Sequence, residues 1–114
     1  MQGGGAFLVL KEQGQLVGMG GLRPMSAERA ELCKLHVHPQ AQGKGYGRQL
    51  AEALLREAAA RRLTTVELHV TVTQTAAVAL YRKLGFVPTK QAVFETTVGG
   101  VPLSYDTLYM EKTL

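Results

Sequence analysis

The chain has 114 residues, 46% of them hydrophobic, and 13 Lys and Arg against 9 Asp and Glu give a net charge of +4. That length suits one domain, residues 1–114, with a single core that needs neither metal nor disulfide, and no apolar run approaches the ~18 residues that would cross a bilayer. Trp is absent and no stretch interleaves Lys/Arg with aromatics, which argues against a nucleic-acid binder while leaving room for an anionic ligand.

The start, MQGGGAFLVL, lacks the charged n-region, long apolar h-region and small-residue cleavage site of a signal peptide. A lone cysteine, Cys33, excludes a disulfide framework and fits a reducing compartment. The expected location is the cytoplasm.

Taken in order, FLVLKEQGQLVGMGGL (7–22) reads as a hairpin whose β-rich runs flank Gln13-Gly14-Gln15. Arg23-Pro24 ends its second strand, because Pro cannot donate to a ladder. The polar SAER forms the next turn, and AELCKLHVHP (30–39) alternates as a strand that stops at Pro39. Next, Leu50, Ala53, Leu54 and Ala58 recur at helical spacing, with Glu52/Arg56 and Glu57/Arg61 as i,i+4 pairs on the solvent side. VELHV (66–70) is a short strand buried through Val66, Leu68 and Val70. A second helix runs from about Thr75 to Leu84 with Ala77, Leu80, Tyr81 and Leu84 on one face and Gly85 as its C′ residue. The end of the chain is a further hairpin, tight at Gly99-Gly100. The order β-β-β-α-β-α-β-β predicts a mixed α/β sheet, with a right-handed parallel β-α-β unit at its centre and antiparallel hairpins on either side.

QAQGKGYGRQL (40–50) places three glycines at the door of the first helix. Such a turn presents free N–H groups beside the positive end of a helix dipole, a place that binds phosphates. A Walker loop requires G-x-x-x-x-G-K-S/T, and Lys44 is followed by Gly45. A dinucleotide loop requires G-x-G-x-x-G, whereas Gly43, Gly45 and Gly47 give G-x-G-x-G.

Gln42-Gly43-Lys44-Gly45-Tyr46-Gly47 does match Q/R-x-x-G-x-G/A, the acyl-CoA pyrophosphate loop of the GNAT superfamily of N-acetyltransferases. Leu35-x-Val37-x-Pro39 upstream is similar to that family's fourth strand, and Ala77-x-x-Leu80-Tyr81-x-Lys83-x-Gly85-Phe86 resembles its A-x-x-L-Y-x-K-x-G-F segment. The resemblance runs from about Phe7 to the C-terminus and implies the GNAT fold, without the strand and two helices that usually precede its first hairpin. It implies acetyl transfer from acetyl-CoA to a primary amine by direct attack, with main-chain nitrogens between Gln42 and Arg48 gripping the diphosphate.

By the same resemblance, Leu35 and Val37 would bond the pantetheine arm through their backbone. Tyr81 would be the general acid for the departing thiolate, since a phenol with pKa near ~10 stays protonated at neutral pH. Glu31 lies eleven residues before Gln42, the spacing at which histone acetyltransferases of the family carry a glutamate base. Within the strand it would share a face with Cys33, Leu35 and Val37; water chains are the alternative base. Gln74 replaces the family's Asn seven residues before the tyrosine, offering the same amide on a longer stem.

His36, His38 and His69 lack the carboxylate or Cys company of common zinc sites, so no metal is expected. They read as strand histidines on a polar face, one that N-terminal helices would cover or that lines the acceptor entrance. The short N-terminus leaves the acceptor side open, completed by a second subunit as in a homodimer, or truncated. A silent acyl-CoA-binding module and half of an oligomeric assembly stand as alternative readings, and the acceptor, a small molecule or a peptide, is not legible.

Overall fold

Two consecutive left-handed residues, Gln13 (φ 53°) and Gly14 (φ 81°), fold β1 (Ala6–Glu12) back onto β2 (Gln15–Pro24). Positive φ at both central positions is the signature of the two-residue turn whose twist matches paired strands. The structure, a computed structural model, describes residues 5–114. The opening residues 1–4, part of the stretch read for a missing signal peptide, lie outside the described residues. β3 (Arg29–Val37), α1 (Tyr46–Ala60), β4 (Thr65–Thr71), α2 (Thr75–Lys83), β5 (Val87–Val98) and β6 (Val101–Thr113) follow. This is the expected mixed α/β order. The chain divides into two compact units, one up to Val66 with Thr113–Leu114 and the other Glu67–Lys112.

In the first unit β1, β2 and β3 are antiparallel neighbours in that order, and α1 packs across them. The helix buries Leu50, Ala51, Leu54 and Ala58. Ala51 takes the fully buried place expected for Ala53, a shift of the stripe by less than one turn. β2 meets the helix with bare backbone. A Cβ at Gly18 would stand 2.9 Å from Leu50 Cδ1, and one at Gly20 would stand 2.9 Å from Leu35 Cδ1 and 3.0 Å from Leu54 Cδ1. On the helix surface Glu57 pairs with Arg61 (2.8 Å) as expected, while Glu52 reaches back to Arg48 (3.4 Å).

In the second unit the strand order is β4-β6-β5. β4 buries Val66, Leu68 and Val70 in strict alternation. β5 and β6 pair antiparallel from Val98↔Val101 to Val87↔Glu111, turning at Gly99 (φ 57°) and Gly100 (φ 80°). α2 ends as predicted. Gly85 takes φ 98°, its N–H donates to the Arg82 carbonyl, and the Phe86 N–H reaches back to the Tyr81 carbonyl at 3.0 Å.

Candidate active site

From the end of β3 the chain passes through a 3-10 turn, Pro39–Ala41, and then a loop to α1. His38 organises the turn: its Nδ1 accepts from the Gln40 N–H at 3.1 Å, and its own N–H donates to the Val17 carbonyl at 2.8 Å. His38 therefore lies beyond β3 and does not share a strand face with His36, because Pro39 has already ended the strand. Gln42 follows in extended backbone and donates Nε2 to the Val37 carbonyl at 3.1 Å.

Gly43 (φ 84°) and Gly45 (φ 82°) are both left-handed, and a Cβ at either would meet nothing within 4 Å. The backbone angle demands glycine here, not crowding from the protein. Gly45 is the N-cap of α1, and Tyr46 and Gly47 open its first turn. The first helical bond runs from the Gln49 N–H to the Gly45 carbonyl at 3.0 Å. The N–H groups of Tyr46, Gly47 and Arg48 thus precede the ladder, at the positive end of the dipole. No side chain caps this end, and no acidic residue occupies the first turn. The result is a run of free backbone donors at a helix start, flanked by Lys44 and Arg48, which is the chemistry of an anion cradle.

One carboxylate approaches from outside the loop. Glu12, the last residue of β1, receives Lys44 Nζ on Oε1 at 3.3 Å and the Tyr46 hydroxyl on Oε2. The Tyr46 bond first, and Lys44 second, hold the Glu12 carboxyl below its ordinary value, and the same bond pushes the Tyr46 phenol up. Sequence reading missed Glu12. It lies 32 residues before Lys44, and no local spacing marks it.

β3 carries a correction. Met19 faces His36 and Gly21 faces Cys33, so Lys34 and Leu35 together oppose Gly20, and Lys34 takes φ 55°. This is a β-bulge, and it reverses the inside–outside parity of the strand. Glu31 and Cys33 point away from α1, whereas Leu35 reaches the α1 face beside Leu54. Val37, the partner of Gly18, is on that face too. The expectation that Glu31, Cys33, Leu35 and Val37 share one face fails at Lys34.

The Glu31 side chain is 14% exposed and is held by Arg23, whose Nη2 and Nε lie 3.0 Å and 3.2 Å from Oε1. Burial, and then the Glu31 charge, push the neighbouring Cys33 thiol up, so it is a poor nucleophile.

In the second unit, Gln74 is the N-cap of α2 and donates its N–H to the Thr71 carbonyl at 2.9 Å. Ala77 is half-buried on the first turn of α2. Tyr81 is the buried residue of the helix, edge-on to Phe86 at 5.9 Å, and burial pushes its phenol above the ordinary value. On the opposite face of β4, His69, Thr71, Tyr105, Thr107 and Tyr109 line an open cleft of about 330 Å³. The His69 and Tyr109 rings are 5.8 Å apart. Among the described residues no group of three or more His, Cys, Asp or Glu is placed to hold a metal, and no helix is long and apolar enough to cross a membrane.

The architecture is that of acetyltransferases. The structure of yncA from Salmonella typhimurium, solved with its cofactor acetyl-CoA, overlays with a TM-score of 0.85 at 27% identity, covering 97% of this chain and 65% of that one. A ribosomal-protein-alanine N-acetyltransferase from Brucella melitensis gives a TM-score of 0.82 at 28% identity, over 95% and 68%. By sequence, the chain is 32% identical over 88 residues to the uncharacterized N-acetyltransferase YjgM of Escherichia coli, covering 75% of this chain and 53% of that protein. It is 37% identical over 109 residues to an IAA acetyltransferase of Azospirillum brasilense, covering 95% and 67%. The chain spans about half the length of YjgM. The profile described as "Acetyltransferase (GNAT) family" matches residues 1–86. The chain belongs to the GNAT acetyltransferase family.

Proposed function

We propose that residues 1–114 act as one acetyltransferase domain that moves the acetyl group of acetyl-CoA directly onto a primary amine. One observation carries the reading: the left-handed pair Gly43 and Gly45 opens onto the uncapped, acid-free first turn of α1. That run of main-chain donors suits a diphosphate, with Gln42, Lys44, Tyr46, Gly47 and Arg48 completing the grip. Leu35 and Val37 offer the backbone of β3 to the pantetheine arm, and Gln74 and Ala77 offer the start of α2. The solved yncA structure with acetyl-CoA supports the choice of cosubstrate.

Acetyl transfer to an amine requires a proton to leave the nucleophile, a donor for the oxyanion, and a proton for the thiolate. Tyr81 is the proposed acid. A phenol that burial keeps protonated has a proton to give at neutral pH. Glu31, or an ordered water beside it, is the proposed base. The cleft at His69 and Tyr109 supports an amine-bearing acceptor, small molecule or peptide, because π faces and hydroxyls suit an ammonium before it is deprotonated. The free Cys33 thiol is in keeping with a reducing cytoplasm.

The test is thiol release from acetyl-CoA across amines, including polyamines, amino acids and peptide N-termini ending in alanine. Amine-dependent release above the hydrolytic background supports the reading. Binding of coenzyme A with no release for any amine would leave a silent binding module, and no binding would end the proposal.

A further inference from the structure

The carboxylate of Glu12 straddles the entrance to α1. One oxygen holds Lys44, which precedes the N-cap Gly45, and the other accepts from Tyr46, the first residue of the helix. Two separate partners on two oxygens distinguish this from a chance surface pairing. A negative charge at an otherwise uncapped helix start is favourable by itself. That is also where a diphosphate must come. Both halves of the Lys44–Glu12 pair are half exposed, 50% and 40% by side chain, so the pair is weak and readily exchanged.

We propose that Glu12 is an internal anion that competes with the ligand's phosphates for Lys44 and for the start of α1, so that only a polyanionic nucleotide displaces it. This inference rests on the coenzyme A reading of the loop. Glu12 acts through Lys44 and Tyr46 as a specificity-setting residue. A ligand with several phosphate charges replaces one weak pair with several charge-assisted bonds. A monoanion exchanges one pair for another and gains nothing.

The competition has a signature that a merely structural glutamate would not give. Coenzyme A affinity is measured calorimetrically for the parent, Glu12→Gln, Lys44→Ala, the double variant and Tyr46→Phe, at low and high salt. Replacing a half-exposed carboxylate by its amide keeps the shape, and thermal melting checks the fold. Glu12→Gln is expected to tighten coenzyme A about two- to fivefold at low salt, the scale of an exposed pair. The gain should fade at about 0.5 M salt, where charges at this range are screened. It should also shrink in the Lys44→Ala background. Tyr46→Phe, which frees only one carboxylate oxygen, should recover part of it. Unchanged or weaker binding by Glu12→Gln, or an equal gain without Lys44, overturns the inference while the coenzyme A reading stands. Should the parent bind no coenzyme A at all, that reading falls and takes the inference with it.

Discussion

Gln42 donates its side-chain nitrogen to the Val37 carbonyl at 3.1 Å, which ties the glycine loop to the end of β3. Gln42→Ala removes this tie at an exposed site, so folding should be little changed. The loop becomes less ordered, and ligand binding must then supply that order. Coenzyme A affinity is expected to fall about fivefold, the equivalent of one ordinary hydrogen bond of ~1 kcal/mol. Calorimetry on the variant and the parent checks it.

Gly45→Val tests the cradle more severely. A β-branched residue at φ 82° is strained although its Cβ has open space. Gly100→Val provides the matched control, with φ 80° and equally open space at the β5–β6 turn. Both should lose about 1–2 kcal/mol of stability in urea. Only Gly45→Val should lose coenzyme A binding, by at least about tenfold, because the strained residue sits where the donors converge. Equal retention by both variants would remove the loop from the site.

Gly20 speaks to packing rather than to ligand. A Cβ there would meet Leu35 Cδ1 at 2.9 Å and Leu54 Cδ1 at 3.0 Å, where Leu54 of α1 is fully buried and Leu35 half-buried. Gly20→Ala should destabilise by about 1–3 kcal/mol, the usual cost of overpacking. The urea midpoint should drop accordingly.

Tyr81→Phe keeps the ring against Phe86 and removes only the proton donor. If the hydroxyl protonates the departing thiolate, kcat falls about 10²-fold or more while the KM for acetyl-CoA stays close to the parent value. A raised KM for acetyl-CoA with kcat unchanged would instead mark a binding role.

The same hydroxyl gives a pH prediction with a definite sign. Burial raises the folded-state value of Tyr81 above its unfolded value of ~10. The native state therefore holds this proton more tightly. Its contribution is complete below the unfolded value and is lost as pH rises through the folded one. Urea midpoints should fall as pH rises past about 10, and less steeply in Tyr81→Phe.

The helices and the Gly85 stop were legible because apolar spacing and a C′ glycine are local signals. The glycine turn before α1 was legible because left-handed angles restrict the choice of residue. Glu12 was not, since only the hairpin brings it to Lys44. The bulge in β3 left a trace that alternation alone passes over. Ala30 and Leu32 keep a two-residue step, but the next inward residue is Leu35, three further on. Lys34 absorbs the extra residue. Glu31 was placed on the right strand and rightly beside Cys33, but Leu35 and Val37 lie on the other face for that reason.

The extra residue at position 34 also constrains anyone who rebuilds this strand. A pattern copied from a straight β-strand would be inside-out beyond Cys33, sending a polar side chain against Leu54 and an oily one into water. Deleting Lys34 would instead remove the bulge and leave Leu35 and Val37 on the α1 face by plain alternation, so an edit that shortens this strand by that one residue is gentler than a repatterning of it.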